Sequence, residues 1–306
     1  MNFAQKIGYA LLTALMWPLS RLPLRFHRVL GAWVSHLLYS VVRYRREDVL
    51  MNLARAFPEK QIQDLKAIRK KFYRHLGDLV CEAVWFGGCK NPERLRRARI
   101  AEVTNPEVLN GFYREGRSVV VLTSHNGNWE IIGGLETYGS YNGEFLFPEK
   151  SFSVVYLKQT SAVWNEFLYW NRLAPVHDRK NHDGLQEAGN ILRYAVRNRD
   201  KQKLYLFITD QRPYFLSSAN VEVTFMNQKT LSMTGSVALA KMLSLPVVYQ
   251  NMKPDGKGHY EITYTPITDD ASTMEIKEMT DRYYALLDED IRKTPWNYLW
   301  THHRWS

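Results

Sequence analysis

The residues of this chain best suited to proton transfer are His125 and Glu130, in the run Val119-Val-Val-Leu-Thr-Ser-His125-Asn-Gly-Asn-Trp-Glu130. An imidazole titrates near neutral pH, so one ring nitrogen takes a proton while a carboxylate on the other fixes the tautomer and stabilises the imidazolium. Five residues along an ideal helix turn through roughly 500°, so the two side chains do not meet across one regular helix face. Gly127 supplies a turn that folds Glu130 back towards the ring. A helix beginning near Trp129 favours the ionised carboxylate through its amino-terminal dipole. His125 is therefore the candidate general base and Glu130 its orienting carboxylate. On residue types alone the pair is weak, because a histidine near a glutamate is more often structural. No Gly-x-Ser-x-Gly elbow occurs, which counts against a serine hydrolase.

The elements around this run predict where it sits. Short, nearly continuous β-branched runs at 118–123, 153–157, 204–209 and 246–249 read as buried strands covered on both faces. The stretches 221–225 and 259–265 alternate more and read as flanking or edge strands. Helical spacing fills 62–80, 161–173, 184–198, 230–244 and 273–293, and Asn105-Pro106 reads as a cap and first turn of a further helix ended by Gly116. The pattern predicts an α/β fold with one mixed central sheet flanked by helices. In such sheets active sites lie at the carboxyl ends of strands, where His125 falls.

Lysine and arginine exceed aspartate and glutamate by 41 to 31, a net charge of +10 that attracts phosphate. No zinc-finger spacing, RRM-type aromatic signature or basic zipper points to nucleic acid. The excess sits largely in the first third, beside the apolar runs 7–17 and 29–42, each shorter than the roughly 20 residues of a spanning helix. That pairing predicts an interfacial anchor, with apolar faces in lipid and arginines at headgroups. The expected organisation is a membrane-proximal helical segment, 1–55, and a catalytic domain, 56–306. Cys81 and Cys89 build neither a disulfide framework nor a four-ligand metal site.

Other constellations read more plainly. His177 to Asp183 lacks zinc-ligand spacing and reads as a polar loop, whose Arg179 and Lys180 are candidates for a phosphate. Asp210, ending a buried strand, reads equally as a second active-site carboxylate or as a cap. Arg94, Arg96, Arg97 and Arg99 read as a solvated face, with an acidic carrier protein or anionic lipid as the sharper alternative.

The run His125-Asn-Gly-Asn-Trp-Glu130 resembles the His-x4-Asp/Glu motif of glycerolipid acyltransferases. It is closer still to the His-x-Gly-Asn-Trp-Glu form of the bacterial lipid A late acyltransferase family. The likeness extends along the chain. Tyr44-Arg45-Arg46 with Asn52 to Pro58 looks like the family's amino-terminal signature, and Thr209-Asp210-Gln211 like its Asp-Gln strand end. Phe225 through Lys241 is similar to its small-residue helix, and Trp296 to Trp305 resembles its tryptophan-rich ending. One departure stands out: where the family continues the strand with Tyr-Arg-Pro, this chain has Tyr156-Leu157-Lys158. Lys158 or Arg172 is then expected to supply the missing charge, with Asn128, Arg179 and Asp210 completing the substrate-binding set.

The resemblance implies a glycerolipid acyltransferase-like fold and direct transfer of a fatty acyl chain. The donor would be an acyl carrier protein or coenzyme A thioester, and the acceptor a hydroxyl of an anionic membrane lipid, first of all a lipid A precursor. His125 would deprotonate the acceptor, with no metal, no resident cofactor and no nucleic-acid partner. The implied location is the cytoplasmic face of the inner membrane, peripheral or singly anchored. Transfer to an aminoacyl or glycerol lipid, a thioester hydrolase and a catalytically inactive scaffold stay open.

Overall fold

The computed structural model describes residues 1–141, 143–213 and 219–305. The chain opens with helices α1 (Phe3–Arg21), α2 (Leu24–His36), α3 (Arg46–Ala56), α4 (Ile62–Phe86) and α5 (Pro92–Ala98). Strand β1 (Ala101–Val103), helix α6 (Glu107–Arg114) and strand β2 (Val119–Thr123) follow, then α7 (Leu135–Gly139), β3 (Phe152–Tyr156) and α8 (Ala162–Arg172). Next come β4 (Leu185–Glu187), α9 (Ile191–Arg197), β5 (Leu204–Ile208), β6 (Val221–Phe225), β7 (Gln228–Ser232) and α10 (Gly235–Met242). Strands β8 (Val247–Pro254) and β9 (Tyr260–Thr268) and helix α11 (Ile276–Lys293) complete the set.

Seven strands form one sheet in the order β1-β9-β8-β2-β5-β3-β4, parallel except where β8 meets β9. The α/β expectation of a mixed central sheet flanked by helices holds. Alternation along the buried strands splits the core in two. Val120, Leu122, Tyr205 and Phe207 face α10, α11 and the carboxyl-terminal segment. Val119, Val121, Leu204 and Leu206 face the layer that includes α5, α6 and α7. Every residue of β2 is buried, as its unbroken apolar run requires.

Three expected elements differ. The region 184–198 is not one helix: Leu185–Glu187 pair with the edge of β3, and the helix starts at Ile191. Gly184 allows this because a Cβ there would lie 2.1 Å from the carbonyl oxygen of Phe152. The region 230–244 likewise begins as a strand, since β6 and β7 form a separate hairpin. Its two turn residues, Met226 and Asn227, have φ of 48° and 63°, the double left-handed turn that suits the twist of a hairpin. Strand β9, expected at an edge, is interior, because the short β1 covers it.

Among the described residues no helix is long and apolar enough to cross a membrane. Helix α1 instead lies against α8, and α2 crosses α4 at Gly31 and Gly77. A Cβ at Gly77 would sit 2.2 Å from the Gly31 carbonyl oxygen, so the two backbones touch. Arg94 is not on a solvated face: its guanidinium donates to Ser20 O at 2.8 Å and Leu22 O at 2.7 Å and lies over the Trp85 ring. It ties the α1–α2 corner to the body of the molecule.

Gly77→Ala is expected to destabilise the protein by about 1–3 kcal/mol through this overpacking. Gly8→Ala, whose Cβ would meet Val163 at an ordinary 3.5 Å inside α1, should not destabilise the protein and should gain up to about 1 kcal/mol of helix propensity. Chemical unfolding of the two variants checks the difference.

Candidate active site

Strands β2 and β5 pair in parallel with Thr123 opposite Ile208, and Thr209 N–H continues the ladder to Thr123 O at 3.1 Å. Two residues beyond each paired end stand His125 and Asp210. His125 Nδ1 lies 2.7 Å from Asp210 Oδ1, and the His125 backbone N–H donates to the same oxygen at 3.2 Å. Asp210 is 1% exposed. Burial alone raises its carboxyl, but the adjoining His125, by charge and hydrogen bond, together with backbone N–H donors holds it below the ordinary carboxylate range. An ionised Asp210 accepts, so Nδ1 carries the proton and Nε2 has the lone pair. The Gln211 amide nitrogen, 3.1 Å from Nε2, completes that tautomer as a donor.

Glu130 is therefore not the carboxylate that holds the imidazole. Its two oxygens take the Arg172 guanidinium as a fork, from Nε and Nη2 at 2.8 Å each. The physical reason is local: a tight 3-10 helix, 129–134, starts directly after Asn128. A planar guanidinium at the end of α8 offers the stronger, charge-assisted pairing. Trp129 meets the imidazole edge-on instead, with ring centroids 4.7 Å apart. Burial opposes the charge on Arg172, but Glu130 more than offsets that and raises its pKa.

The loop 124–128 is held from behind. Gly127 has φ of 66°, and a Cβ there would lie 2.5 Å from the Met252 side chain, so the close approach excludes any larger residue. Its N–H donates to the Asn297 carbonyl and side-chain oxygens at 3.2 and 3.1 Å. Asn128 is fully buried. Its Nδ2 donates to Glu82 Oε2 at 3.1 Å and Leu79 O at 3.3 Å, while its Oδ1 caps the Glu130 N–H at 3.3 Å. Arg304, also buried, donates from Nε to Asp210 O at 2.6 Å, from Nη2 to Tyr284 Oη at 2.9 Å and from Nη1 to Thr230 Oγ1.

His125, Glu130, Arg172 and Gln211 line a cavity of about 610 Å³ that wraps the carboxyl ends of β3 and β5. Most of its wall is apolar, from Phe152, Val155, Phe207, Leu239 and Met242 among others. Of the expected substrate-binding residues, Arg172 lines this cavity. Asp210 sits behind His125, and Asn128 lies beneath the loop. Lys158 points to solvent and Arg179 stays in the polar loop, neither on the cavity wall. Of the two cations expected near Tyr156, Arg172 is the one on the cavity wall, with its guanidinium 6.0 Å from the Tyr156 ring.

Sequence reasoning missed Glu82. The signal was present: Leu79, Glu82 and Phe86 share the buried stripe of α4, and a glutamate on such a stripe requires partners. Besides Asn128, Tyr260 Oη donates to the same Glu82 oxygen at 2.9 Å. Among the described residues no group of three or more His, Cys, Asp or Glu side chains is arranged to hold a metal ion.

A family model described as bacterial lipid A biosynthesis acyltransferase matches residues 2–306. No curated protein matches the chain. The chain belongs to that family, and its reaction is acyl transfer of the lipid A type.

Burial pushes the Glu82 carboxyl up to about 7 from 4.5, against the opposing hydrogen bonds from Asn128 and Tyr260. The folded state then holds this proton more tightly than the unfolded state. The stability it contributes is full below pH 4.5 and is lost as pH rises to about 7. Glu82→Gln, which cannot ionise, is expected to flatten that decline; urea unfolding across this pH window checks it.

Proposed function

We propose that the chain moves a fatty acyl group from an acyl thioester to a hydroxyl of an anionic membrane lipid, a lipid A precursor being the first acceptor to try. The observation that carries this reading is the His125–Asp210 pair, with its Nε2 lone pair turned to an apolar cavity large enough for a hydrocarbon chain. In this reading the acceptor hydroxyl displaces Gln211 at Nε2. His125 takes the hydroxyl proton as the oxygen attacks the thioester carbonyl, and Asp210 stabilises the imidazolium. Arg172, fixed by Glu130, offers its remaining N–H donors to the oxyanion. As the carbon–sulfur bond breaks, the thiolate leaves and takes the proton back from His125. The thioester donor is carried by an acyl carrier protein or coenzyme A, and no resident cofactor is required.

The surface supports a membrane acceptor. Phe3, Ile7, Leu11 and Leu15 project from α1 at helical spacing and are exposed, Phe3 by 80%. Val29 and Trp33 continue from α2, and Val41 and Val42 from the turn beyond it. Exposed Arg21, Arg25, Arg43 and Arg45 accompany these apolar faces. An apolar patch rimmed by arginines fits the boundary between headgroups and acyl chains. Helix α1 packs on α8, the helix whose last residue, Arg172, lines the cavity.

Detergent-solubilised protein and its His125→Ala variant, incubated with acyl carrier protein and coenzyme A thioesters and a bacterial lipid extract, test the reading by mass spectrometry. The expected result is a lipid that gains one acyl chain with the unmutated protein alone, and an Asp210→Asn variant slower by on the order of a thousandfold. Free fatty acid without any acylated lipid would mark a thioester hydrolase. Equal products from wild type and His125→Ala would remove the dyad from the chemistry.

A further inference from the structure

We infer that Glu82, remote from the cavity wall, is a positioning residue that sets where Arg172 stands, acting through Asn128 and Glu130. This rests on the transfer reading above and adds to it the origin of the guanidinium's placement. The steps are each a hydrogen bond. Tyr260 Oη and Asn128 Nδ2 converge on Glu82 Oε2, at 2.9 and 3.1 Å. With Nδ2 held by Glu82 and by Leu79 O, the Asn128 amide has one orientation. A flip would bring its oxygen against a carbonyl and a carboxyl oxygen. Its Oδ1 is thereby aimed at the Glu130 N–H and fixes the first turn of the 3-10 helix. Glu130 then grips Arg172 in a fork.

A second contact makes this placement sensitive. Gly133, in the same 3-10 helix, lies against the end of α8, where a Cβ would be 2.1 Å from the Arg172 carbonyl oxygen. The turn and the helix end therefore move together, and slack at Asn128 passes to the guanidinium. Glu82 is 3% exposed and Asn128 fully buried, so losing the acceptor leaves the Asn128 amide donor away from bulk solvent. Burial of the Glu82 carboxyl among these partners costs stability as pH rises and it ionises.

Three variants test the relay. Glu82→Met fills the space without an acceptor, Glu82→Gln keeps an oxygen for Asn128, and Tyr260→Phe removes the other donor while leaving the Glu82–Asn128 bond. Acyl transfer from coenzyme A thioesters is measured beside hydrogen exchange of the peptide 128–134. The expected result for Glu82→Met is a kcat lower by on the order of a hundredfold with thioester KM unchanged, and faster exchange at the Glu130 N–H. Glu82→Gln and Tyr260→Phe should keep wild-type kcat and exchange. A wild-type kcat in Glu82→Met, or an equal loss in Tyr260→Phe, would overturn the inference. The exchange readout does not depend on turnover. If the wild-type chain transfers no acyl group, slow exchange at Glu130 in the Glu82→Met protein would still overturn the relay, separately from the failure of the transfer reading.

Discussion

A buried aspartate at the end of one strand and a histidine at the end of its parallel neighbour meet because the two strands are in register. Thr123 pairs with Ile208, so each chain leaves the sheet at the same level, and two further residues bring His125 and Asp210 to 2.7 Å. A shift of one residue would turn every side chain of β5 to the opposite face and separate the pair. The register is itself fixed by the two cores, since Leu204 and Leu206 must face one helical layer and Tyr205 and Phe207 the other. Hydrophobic burial on both faces thus carries the geometry of a single hydrogen bond.

The polar groups behind this pair show how the remaining chain serves it. Segments far apart in sequence converge on the loops that follow β2 and β5. Asn297 holds Gly127, and Arg304 holds the Asp210 carbonyl. Asn52 of α3 binds the carbonyls of Trp300 and His302, anchoring the tail that bears Arg304. An unsatisfied buried donor or acceptor costs about 1–3 kcal/mol, so each of these groups needs its partner, and Gly127 and Asp210 are held in place. Burial also pushes His302 down to about 4, which keeps it neutral among the tryptophans and beside the dyad.

Much of this was legible from residues alone. The buried strands near 118–123, 153–157 and 204–209, the long helix after Ile62 and the place of His125 at a strand end all follow from apolar period and length. What the sequence did not carry was register. Five residues separate His125 from Glu130, and that nearness in the chain suggested the partner, whereas sheet pairing selected Asp210, eighty-five residues away. The polar run before Ile191 and the residues after Gln228 read as helix because their spacing permits one. Edge pairing to β3 and a left-handed two-residue turn overrode that local preference. Of Lys158 and Arg172, the two cations the sequence offered near Tyr156, the fold turns Arg172 inward and leaves Lys158 exposed, a choice that spacing alone does not make.

The central claim is that Asp210, and not Glu130, holds the imidazole of His125. Proton NMR of the exchange-protected imidazole N–H tests it directly, using His125→Ala to assign the resonance. The account predicts a downfield signal present in the wild type and in Glu130→Gln but absent from Asp210→Asn. A signal that vanishes in Glu130→Gln and persists in Asp210→Asn would contradict it.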